Sequence, residues 1–527
     1  MGKISLLDCT LRDGGYINDW QFGEECIKNF SKKIALAGVE IVEVGFIKGD
    51  TFNPNRSVFP DVESIRSMIE PKVHDLMYVG MLDMSAPIPL ERITPCTGES
   101  IDGIRVIFKK SKIEEAFVYC KRIKELGYKL FVNFVGTDLY SDEEFIKGIE
   151  KFNSIEPYAM SIVDSFGLIK RKHFLRLVYL ADNNMLPGIV LCYHAHNNLQ
   201  QAFGNAEALV EMNLKRDICI DACVFGMGRG AGNLNLELFA EYMNENYNTH
   251  YRVEPMLELM DEYLSEIYRN RFWGYSLPLY LSASTGCHPN YAIYLAEKNT
   301  LPVKSFNELL RGIPANEKAN FSRDKAERFY QEYQQNYVDD SAVLTQLGKE
   351  IDGRNILLIA NGSSVVQLQN DIQNYIKANN PIVMAVNFAE AQFPIDYVFC
   401  GNARRYNKIE GKTTAKLIMT SNVKTSDDKA FVLNYSSLMS VTPAISNNSG
   451  LMALRLLMTL GVKHIAVAGM DGYKEQQDGR QLSVQELEKT EVLDNHTINE
   501  LMSKELSEIN KTMRIEFITP TLYTLYE

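Results

Sequence analysis

Residues that could bind a metal ion lie at two predicted strand ends. His194 and His196 close the apolar run GIVLCYHAH, and Asp13 lies in the early segment DCTLRDGGY. In a strand, residues two apart project from the same face, so both imidazoles would point the same way. One carboxylate and two imidazoles suit a borderline divalent ion that keeps positions open for substrate oxygens. The alternatives are hydrogen-bonded histidines and an ordinary turn at RDGG.

A glycine-rich segment follows the last predicted strand of the first domain. The run FGMGRGAGNLNLE leads into a helical pattern. Its glycines either form simple turns or let the backbone approach a ligand closely. Asn233 lies near the end of this run and could supply an oxygen ligand. The segment therefore predicts contacts to a metal ion or to substrate.

Polar side chains also lie at other predicted strand ends. The candidates are Glu43, Arg105, Asn133 and Asp164. At the carboxyl ends of parallel strands such residues would face a substrate, and Arg105 could hold a carboxylate. Glu43 could instead orient Arg12 or a metal ligand. We interpret all four as candidate substrate-binding residues, with buried pairing inside the protein as the alternative.

The elements that position these residues alternate between β-rich runs and helical patterns. The predicted strands cover residues 4–10, 39–45, 74–81, 103–108, 129–136, 158–164, 188–196 and 217–226. Such alternation predicts βα units that feed a parallel sheet, and eight of them suit a closed (β/α)8 TIM barrel. The fold class is α/β, and the candidate metal ligands fall at the carboxyl ends of the strands, where barrels of this kind place their chemistry.

Three regions are predicted along the chain. Residues 1–235 would form the barrel, and residues 236–345 would form a helical extension over its mouth. After a polar stretch that ends in a glycine, the βα alternation restarts with NILLIANGSS, PIVMAVN, DYVFCGN and HIAVAGMDGY, and EFITPTLYTLYE is predicted to form a last strand and a tail. Residues 350–527 are therefore predicted to form a smaller Rossmann-like α/β domain.

The second domain has its own candidate ligand site. Gly362 and Ser363 directly follow an apolar strand, where backbone N–H groups can bind a phosphate, although a simple turn is the alternative. Short segments of this domain resemble sialyltransferase-like and hydroxymethylpterin-pyrophosphokinase-like Rossmann domains. The resemblance implies a nucleotide or nucleotide-sugar site, with a noncatalytic partner domain as the alternative. Its implied residues are Gly362, Ser363, Asn387, Ser449, Gly450 and Asp471.

Composition limits the classes of function. The chain has 527 residues and a net charge of −12, which disfavours nucleic-acid binding because phosphates require clustered cations. Its nine cysteines contain no CxxC pair, so we expect reduced thiols. There is no apolar run of membrane-spanning length and no signal peptide pattern, so we expect a cytoplasmic protein without membrane insertion. We expect a homo-oligomer that acts on a small molecule.

Three motifs together resemble a known family. DCTLRDGG, the strand-end HAHNN and GMGRGAGN have the order and spacing of the DRE-TIM metallolyases, over roughly residues 1–300. This family includes 4-hydroxy-2-oxovalerate aldolase, 3-hydroxy-3-methylglutaryl-CoA lyase and isopropylmalate synthase. The resemblance implies a manganese or magnesium ion held by Asp13, His194, His196 and Asn233. It also implies that Arg12 stabilises an enolate.

One position departs from the family pattern. Aldolases that resemble the oxovalerate enzyme carry a histidine base three residues after the metal-binding aspartate, and here that residue is Tyr16. The proton carrier is therefore open, and the candidates are Tyr16, Tyr275, His288 and Tyr291. His288 could equally have a structural role at a helix entry.

The leading prediction is a metal-dependent aldolase that cleaves or forms a 4-hydroxy-2-oxo acid through a pyruvate enolate. From the resemblance of the second domain we also expect a role in surface-glycan precursor synthesis. One alternative is a Claisen-type synthase that uses an acyl-CoA, because the metal motifs are the same. A noncatalytic scaffold or regulatory binding protein is another.

Overall fold

The computed structural model describes residues 2–49, 51–335, 338–389, 391–473 and 494–526. The chain forms two compact units. The first is built mainly from Met1–Ile293 with Lys318–Asn320, and the second mainly from Tyr294–Glu317, Phe321–Asp478 and Thr490–Glu527. The units divide inside the segment that the sequence assigns to a helical extension, and the predicted domain bounds stay a prediction.

The first unit contains a closed parallel sheet. Its strands are β1 (Ile4–Asp8), β2 (Ile41–Ile47), β3 (Val58–Phe59), β4 (Met77–Asp83), β5 (Gly103–Phe108), β6 (Lys129–Phe134), β7 (Ala159–Asp164), β8 (Val190–Ala195) and β9 (Ile218–Ala222). The helices of this part are α1 (Gly15–Asn18), α2 (Glu24–Leu36), α3 (Val62–Ile69), α4 (Ile113–Glu125), α5 (Asp142–Asn153), α6 (Arg171–Asn184), α7 (Ala202–Glu211) and α8 (Leu236–Tyr247).

The strand order closes the sheet into a barrel. It runs β1, β9, β8, β7, β6, β5, β4, β2, β3, and β1 also pairs with β2. Asp8 lies opposite Val42 on one side and opposite Ala222 on the other, both in parallel register. Leaving aside the short β3, the strands of the described residues form an eight-stranded barrel, which confirms the predicted TIM barrel.

The strands form where the sequence is apolar on both faces. Every residue of β2, β7, β8 and β9 is buried, as expected for parallel strands covered by helices outside and by packed side chains inside. The helices begin at local signals. The α5 helix, for example, has a capping box in which Ser141 and Glu144 bond each other's backbone N–H groups.

A buried π-helical turn, Thr10–Gly14, follows β1 directly. The Asp13 N–H donates to the carbonyl of Cys9 over 2.8 Å. This π-helical segment places Arg12 and Asp13 together at the carboxyl end of β1, and π-helical turns occur frequently at functional sites.

Helices dominate the segment between the two sheets. They are α9 (Glu254–Leu259), α10 (Ser265–Asn270), α11 (Leu277–Thr285), α12 (Pro289–Lys298), α13 (Val303–Gly312), α14 (Ala315–Lys318) and α15 (Arg323–Gln334). Residues of the first unit in this segment contact the loops at the barrel mouth. The Trp273 indole donates to the Phe225 carbonyl over 3.0 Å, and Arg271 donates to the Ile17 carbonyl over 2.9 Å.

The second unit is built on another parallel sheet. Its strands are β10 (Ile356–Ile359), β11 (Ile382–Val386), β12 (Tyr397–Cys400), β13 (Lys416–Thr420), β14 (Phe431–Leu433), β15 (His464–Ala468) and β16 (Arg514–Phe517). Its remaining helices are α16 (Ser341–Ile351), α17 (Ser364–Gln367), α18 (Gln369–Asn379), α19 (Ala403–Ile409), α20 (Tyr435–Leu438), α21 (Ser449–Thr459) and α22 (Asn495–Thr512). The smaller α/β sheet was predicted, but β13 and β14 were missed.

The order of the second sheet is β14, β13, β12, β11, β10, β15, β16. The chain moves outward from β10 in one direction and then returns to place β15 on its other side. A topological switch point therefore lies between β10 and β15, and open α/β sheets bind ligands at such a point.

The α15 helix packs within the second unit. Tyr330 and Thr300 share a hydrogen bond between their hydroxyls of 2.8 Å, and Asn422 donates to the Gln334 side chain over 3.1 Å. Asn422 follows β13, so α15 contacts the carboxyl edge of the second sheet. No helix among the described residues is both long enough and apolar enough to cross a membrane.

Candidate active site

Asp13, His194 and His196 meet at the carboxyl end of the barrel. The Nε2 atom of His194 lies 3.2 Å from Oδ2 of Asp13, and the Nε2 atom of His196 lies 3.9 Å from the same oxygen. One ligand atom from each residue lies within 4.8 Å of the others. All three side chains are buried. The strand-end spacing thus brings one carboxylate and two imidazoles to a single point.

Asp13 and His196 have the charge states that a divalent ion requires of its ligands. Burial would raise the pKa of Asp13, but Arg12 and His196 hold it well below its usual range, so the carboxylate is ionised. Burial lowers the pKa of His196 to about 3 although the charge of Asp13 opposes the shift, so this imidazole is neutral. Burial would also lower the pKa of His194, but Asp13 and Asp221 raise it well above its ordinary value.

Several buried polar atoms here have no hydrogen-bond partner among the described residues. They include Oδ1 of Asp13 and Oδ1 of Asn233. A buried polar atom without a partner costs free energy unless a ligand or an ion satisfies it. Two oxygen acceptors beside two imidazoles fit the donor set of a divalent cation. The residues present therefore fit the metal ion that the sequence resemblance implies.

The glycine-rich loop sets the orientation of Asn233. Its Nδ2 donates to the Met227 carbonyl over 3.1 Å and to the Cys223 sulfur over 3.3 Å, which leaves Oδ1 free of these bonds. Asn233 also forms a backbone bridge with His196. A Cβ on Gly228 would lie 2.1 Å from Nδ2 of Asn233 and 3.3 Å from Oδ1 of Asp13. Only glycine leaves room for this amide beside the Asp13 carboxylate.

Arg12 belongs to a chain of buried ion pairs. Its Nη1 lies 2.5 Å from Oδ2 of Asp13, and its Nε donates to Oε2 of Glu43 over 2.7 Å. The same Glu43 oxygen lies 3.2 Å from Nη1 of Arg105. Glu43 and Arg105 are 0% and 1% exposed. The structure thus pairs these two candidate substrate-binding residues with protein charges.

Asp221 is a site residue that the sequence analysis missed. It lies in β9, is 2% exposed, and pairs with Nη2 of Arg105. Its Oδ2 also lies 3.2 Å from Nδ1 of His194. The available signal was an acidic residue inside the apolar run ICIDA, because a buried acid without a partner is costly.

The other two candidate substrate-binding residues also contact protein groups. Asn133 accepts a hydrogen bond of 3.3 Å from Arg105 and donates one to the Val106 carbonyl. The Asp164 carboxylate accepts the N–H groups of Leu168 and Ile169, and burial raises its pKa to about 7. Both residues are 1% exposed. These contacts organise the barrel interior and the loop after β7.

Tyr16 lies in an aromatic cluster with Trp20 and Phe46. Arg229 lies 5.4 Å from the centre of the Tyr16 ring, and the Lys48 ammonium lies 4.0 Å from the Trp20 ring centre. Burial raises the pKa of Tyr16 well above its usual value, so the phenol keeps its proton at neutral pH. Arg229 and Lys48 were both missed as individual residues, although GMGRG itself was noted.

His288 and Tyr291 occupy different surroundings. The ring of His288 lies 5.3 Å from that of Phe166, in the loop after β7. Burial and the charge of Arg229 lower the pKa of His288 well below its usual value, so its imidazole is neutral. Tyr291 is fully buried, and its hydroxyl donates to the Asn320 carbonyl over 3.1 Å.

In the second unit, three predicted residues meet between β10 and β15. The Asp471 carboxylate accepts hydrogen bonds from the Ser363 hydroxyl over 3.1 Å and from the Ser364 N–H over 2.9 Å. A Cβ on Gly362 would lie 2.5 Å from this carboxylate. A phosphate bound at this loop would therefore have to displace Asp471.

The remaining predicted residues of the second unit lie at other strand ends. Asn387 follows β11 with a positive φ of 62°, and its Oδ1 is buried without a partner among the described residues. Ser449 and Gly450 begin α21, which Asn448 caps through the Leu451 N–H. The described contacts do not join these residues to Asp471.

Sequence comparison gives consistent relatives for the barrel. The HMGL-like family model matches residues 3–261. The 4-hydroxy-2-oxovalerate aldolase of Serratia proteamaculans (strain 568) is 26% identical over 263 residues, covering 49% of this chain and 77% of that protein. The aldolase of the same name from Geobacillus genomosp. 3 is 25% identical over 249 residues, covering 46% and 70%. The one from Thermomicrobium roseum (strain ATCC 27502 / DSM 5159 / P-2) is 28% identical over 256 residues, covering 46% and 66%.

Structural comparison gives more distant neighbours. The HMG-CoA lyase of Bacillus subtilis has a TM-score of 0.43 and 13% identity, covering 51% of this chain and 94% of that one. The carboxyl transferase domain (Y628A) of Rhizobium etli pyruvate carboxylase, with pyruvate, has a TM-score of 0.48 and 13% identity, covering 66% and 65%. Because both scores are below 0.5, the fold assignment rests on the strand order described above. Residues 3–261 are thus similar in sequence to the HMGL-like family, and the relatives that match this part of the chain are named as aldolases.

Proposed function

We propose that the protein is an aldolase that cleaves or forms a 4-hydroxy-2-oxo acid through a pyruvate enolate, with a divalent ion at Asp13, His194 and His196. One observation carries this proposal. The three ligand candidates meet within 4.8 Å of one another at the carboxyl end of the barrel, next to Arg12. The relatives named 4-hydroxy-2-oxovalerate aldolase support the choice of substrate class.

Asp13, His194, His196 and Asn233 would hold the ion. A bound manganese or magnesium ion would act as a Lewis acid on the 2-oxo group. Arg12 supplies a fixed positive charge at the same place. Two of its five N–H donors serve Asp13 and Glu43, so others are left to meet the charge that develops on the enolate oxygen.

Proton transfer needs a donor and an acceptor. Cleavage of the C3–C4 bond removes the proton of the 4-hydroxyl and leaves the electron pair in the enolate, which must then gain a proton at C3. The phenol of Tyr16 keeps its proton and is the proposed donor to C3. His288 has a neutral imidazole and is the proposed acceptor of the hydroxyl proton. Tyr291 is assigned no proton transfer, since its hydroxyl already donates to a carbonyl.

A substrate panel tests the reaction type. The protein, loaded with Mn²⁺, is incubated with 4-hydroxy-2-oxo acids of increasing chain length, and released pyruvate is measured. A parallel set supplies acyl-CoA thioesters with 2-oxo acids, and released thiol is measured. Pyruvate release that disappears on chelation supports the aldolase. Thiol release without pyruvate release would instead support the Claisen-type synthase. If the protein releases neither product, a noncatalytic role is favoured.

For the second unit we propose a nucleotide or nucleotide-sugar site at the switch point between β10 and β15. Its support is the sheet order and the polar residues at these strand ends. Surface-glycan precursor synthesis is a further proposal that rests on the sequence resemblance of this domain. Calorimetry with uridine, cytidine and guanosine diphosphates tests the site. Asp471→Asn removes a competing carboxylate and should tighten binding, whereas no binding by either form would contradict the proposal.

A further inference from the structure

We propose that Asp221 is a positioning residue for His194, accepting the Nδ1 proton so that Nε2 faces the ion. This inference rests on the proposed metal site and adds a role for a residue outside its ligand set. Asp221 Oδ2 lies 3.2 Å from Nδ1 of His194, whereas Asp13 Oδ2 lies 3.2 Å from Nε2 on the other edge of the ring. The imidazole is thus held between two carboxylates.

A metal-binding histidine must present one nitrogen without a proton. The other nitrogen then carries the proton, and its hydrogen-bond partner fixes the tautomer and the ring orientation. Two groups compete for this role at Nδ1 of His194. The Asp221 carboxylate lies 3.2 Å away, and the Cys9 sulfur lies 4.0 Å away.

The physical differences between these two groups favour Asp221. A carboxylate accepts a charge-assisted hydrogen bond, whereas a thiol is a weak acceptor. The Cys9 thiol already donates to the Ala222 carbonyl over 3.4 Å. Cys9 also lies 3.4 Å from the Cys223 sulfur. Asp221 is therefore the group that can hold the Nδ1 proton.

Arg105 holds Asp221 in place from the opposite side. Its Nη2 contacts Asp221 Oδ2, and its Nη1 lies 3.2 Å from Glu43 Oε2. Glu43 in turn bonds Arg12, which bonds Asp13. The ion pairs and the His194 ring therefore form a closed loop. Arg12 links Glu43 to Asp13, and Arg105 links Glu43 to Asp221.

Ion binding without any substrate tests this role. The full chain is freed of metal with a chelator and titrated with Mn²⁺ by calorimetry, in its natural form and as Asp221→Asn, Cys9→Ser and Asp8→Asn. Asp8 provides a matched control, because it is a buried carboxylate at the end of β1 that bonds Thr10. Loss of a group that orients a metal ligand typically weakens ion affinity by about 10- to 100-fold. We expect this loss in Asp221→Asn alone.

Nitrogen-15 spectra of the histidine rings provide a second measurement that needs no variant at Asp221. The chain has eight histidines, and the His194 signals are those lost in His194→Gln. In the Mn²⁺-free protein reconstituted with diamagnetic Mg²⁺, we expect the proton on Nδ1 of His194. A proton on Nε2 would overturn the proposal. The proposal would also be overturned if Asp221→Asn bound Mn²⁺ as tightly as the natural protein, or if Cys9→Ser lost as much Mn²⁺ affinity as Asp221→Asn. If only the proposed aldolase activity were wrong, the protein would still bind the ion but would release no pyruvate.

Discussion

Nε2 of His194 lies 3.2 Å from Oδ2 of Asp13, inside a barrel mouth where both side chains are buried. The two residues come from the carboxyl ends of β8 and β1, which β9 separates. Neither strand alone presents a metal site. The site exists because barrel closure brings a histidine pair, an aspartate and Arg12 to one rim.

Asp13→Asn is expected to abolish stable ion binding. The amide keeps the size of the side chain but removes the negative charge that two imidazoles and Arg12 surround. Metal analysis of gel-filtered protein measures the result. His74→Gln is the control, because His74 is 93% exposed. An Asp13→Asn protein that retains as much ion as the control would contradict the assigned ligand set.

Glu43→Gln is expected to destabilise the first unit. The substitution leaves Arg12 and Arg105 without the carboxylate that they share, and removing one partner of a buried ion pair costs about 3–5 kcal/mol. Urea unfolding of the metal-free chain measures the change. Glu125→Gln is the matched control, since its pair with Arg122 lies at the surface and its side chain is 51% exposed. Equal effects of the two substitutions would rule out the buried ion-pair loop as a stabilising unit.

Tyr16→Phe is expected to slow pyruvate release without loss of the ion. The substitution removes one hydroxyl from the aromatic cluster of Tyr16, Trp20 and Phe46 and keeps the ring contacts. Loss of a group that transfers a proton typically lowers the rate by about 10²–10⁴-fold. Steady-state kinetics and metal analysis on the same preparation separate the two effects. An unchanged turnover rate would mean that Tyr16 is not the proton donor.

The stability of the first unit is expected to depend on Asp8 between about pH 4 and pH 7. Burial raises the pKa of Asp8 to about 7, against a usual value of about 4. The folded state therefore binds this proton more tightly than the unfolded state does. The stabilisation from protonated Asp8 is full below about pH 4 and is lost as the pH rises to about 7.

Asp8→Asn should remove that dependence, because an amide can still bond the Thr10 N–H and hydroxyl. Thermal unfolding of the metal-free chain at pH 5 and pH 8 measures it. The difference in thermal stability between the variant and the natural protein should shift in favour of the variant from pH 5 to pH 8. The same difference at both pH values would mean that Asp8 does not titrate with the raised pKa.

The barrel could be predicted because its signals are local. Parallel strands buried on both faces give continuous apolar runs, and these runs recur at the spacing of βα units. The metal ligand candidates could be predicted for the same reason, since His194 and His196 share one strand face. The short strand β14 was missed because three residues carry little periodic signal.

Other parts of the site depend on contacts that sequence spacing does not encode. Arg105 on β5 reaches Asp221 on β9 across the interior of the closed barrel, although the two strands are not neighbours. In the second unit, the Asp471 carboxylate accepts the Ser364 N–H in the loop where the sequence predicted a phosphate. In both cases the two partners are distant along the chain, so the polar residues could be predicted from the sequence but the groups that they pair with could not.

Deuterium uptake into pyruvate tests the central claim most directly. The metal-free chain is reloaded with Mn²⁺ and incubated with pyruvate in deuterated water, beside the chelated protein and Asp13→Asn. An enolate formed at this site must exchange the methyl protons with solvent. We expect ion-dependent deuterium uptake that is lost in Asp13→Asn. No uptake with the reloaded protein, or equal uptake in all three samples, would contradict it.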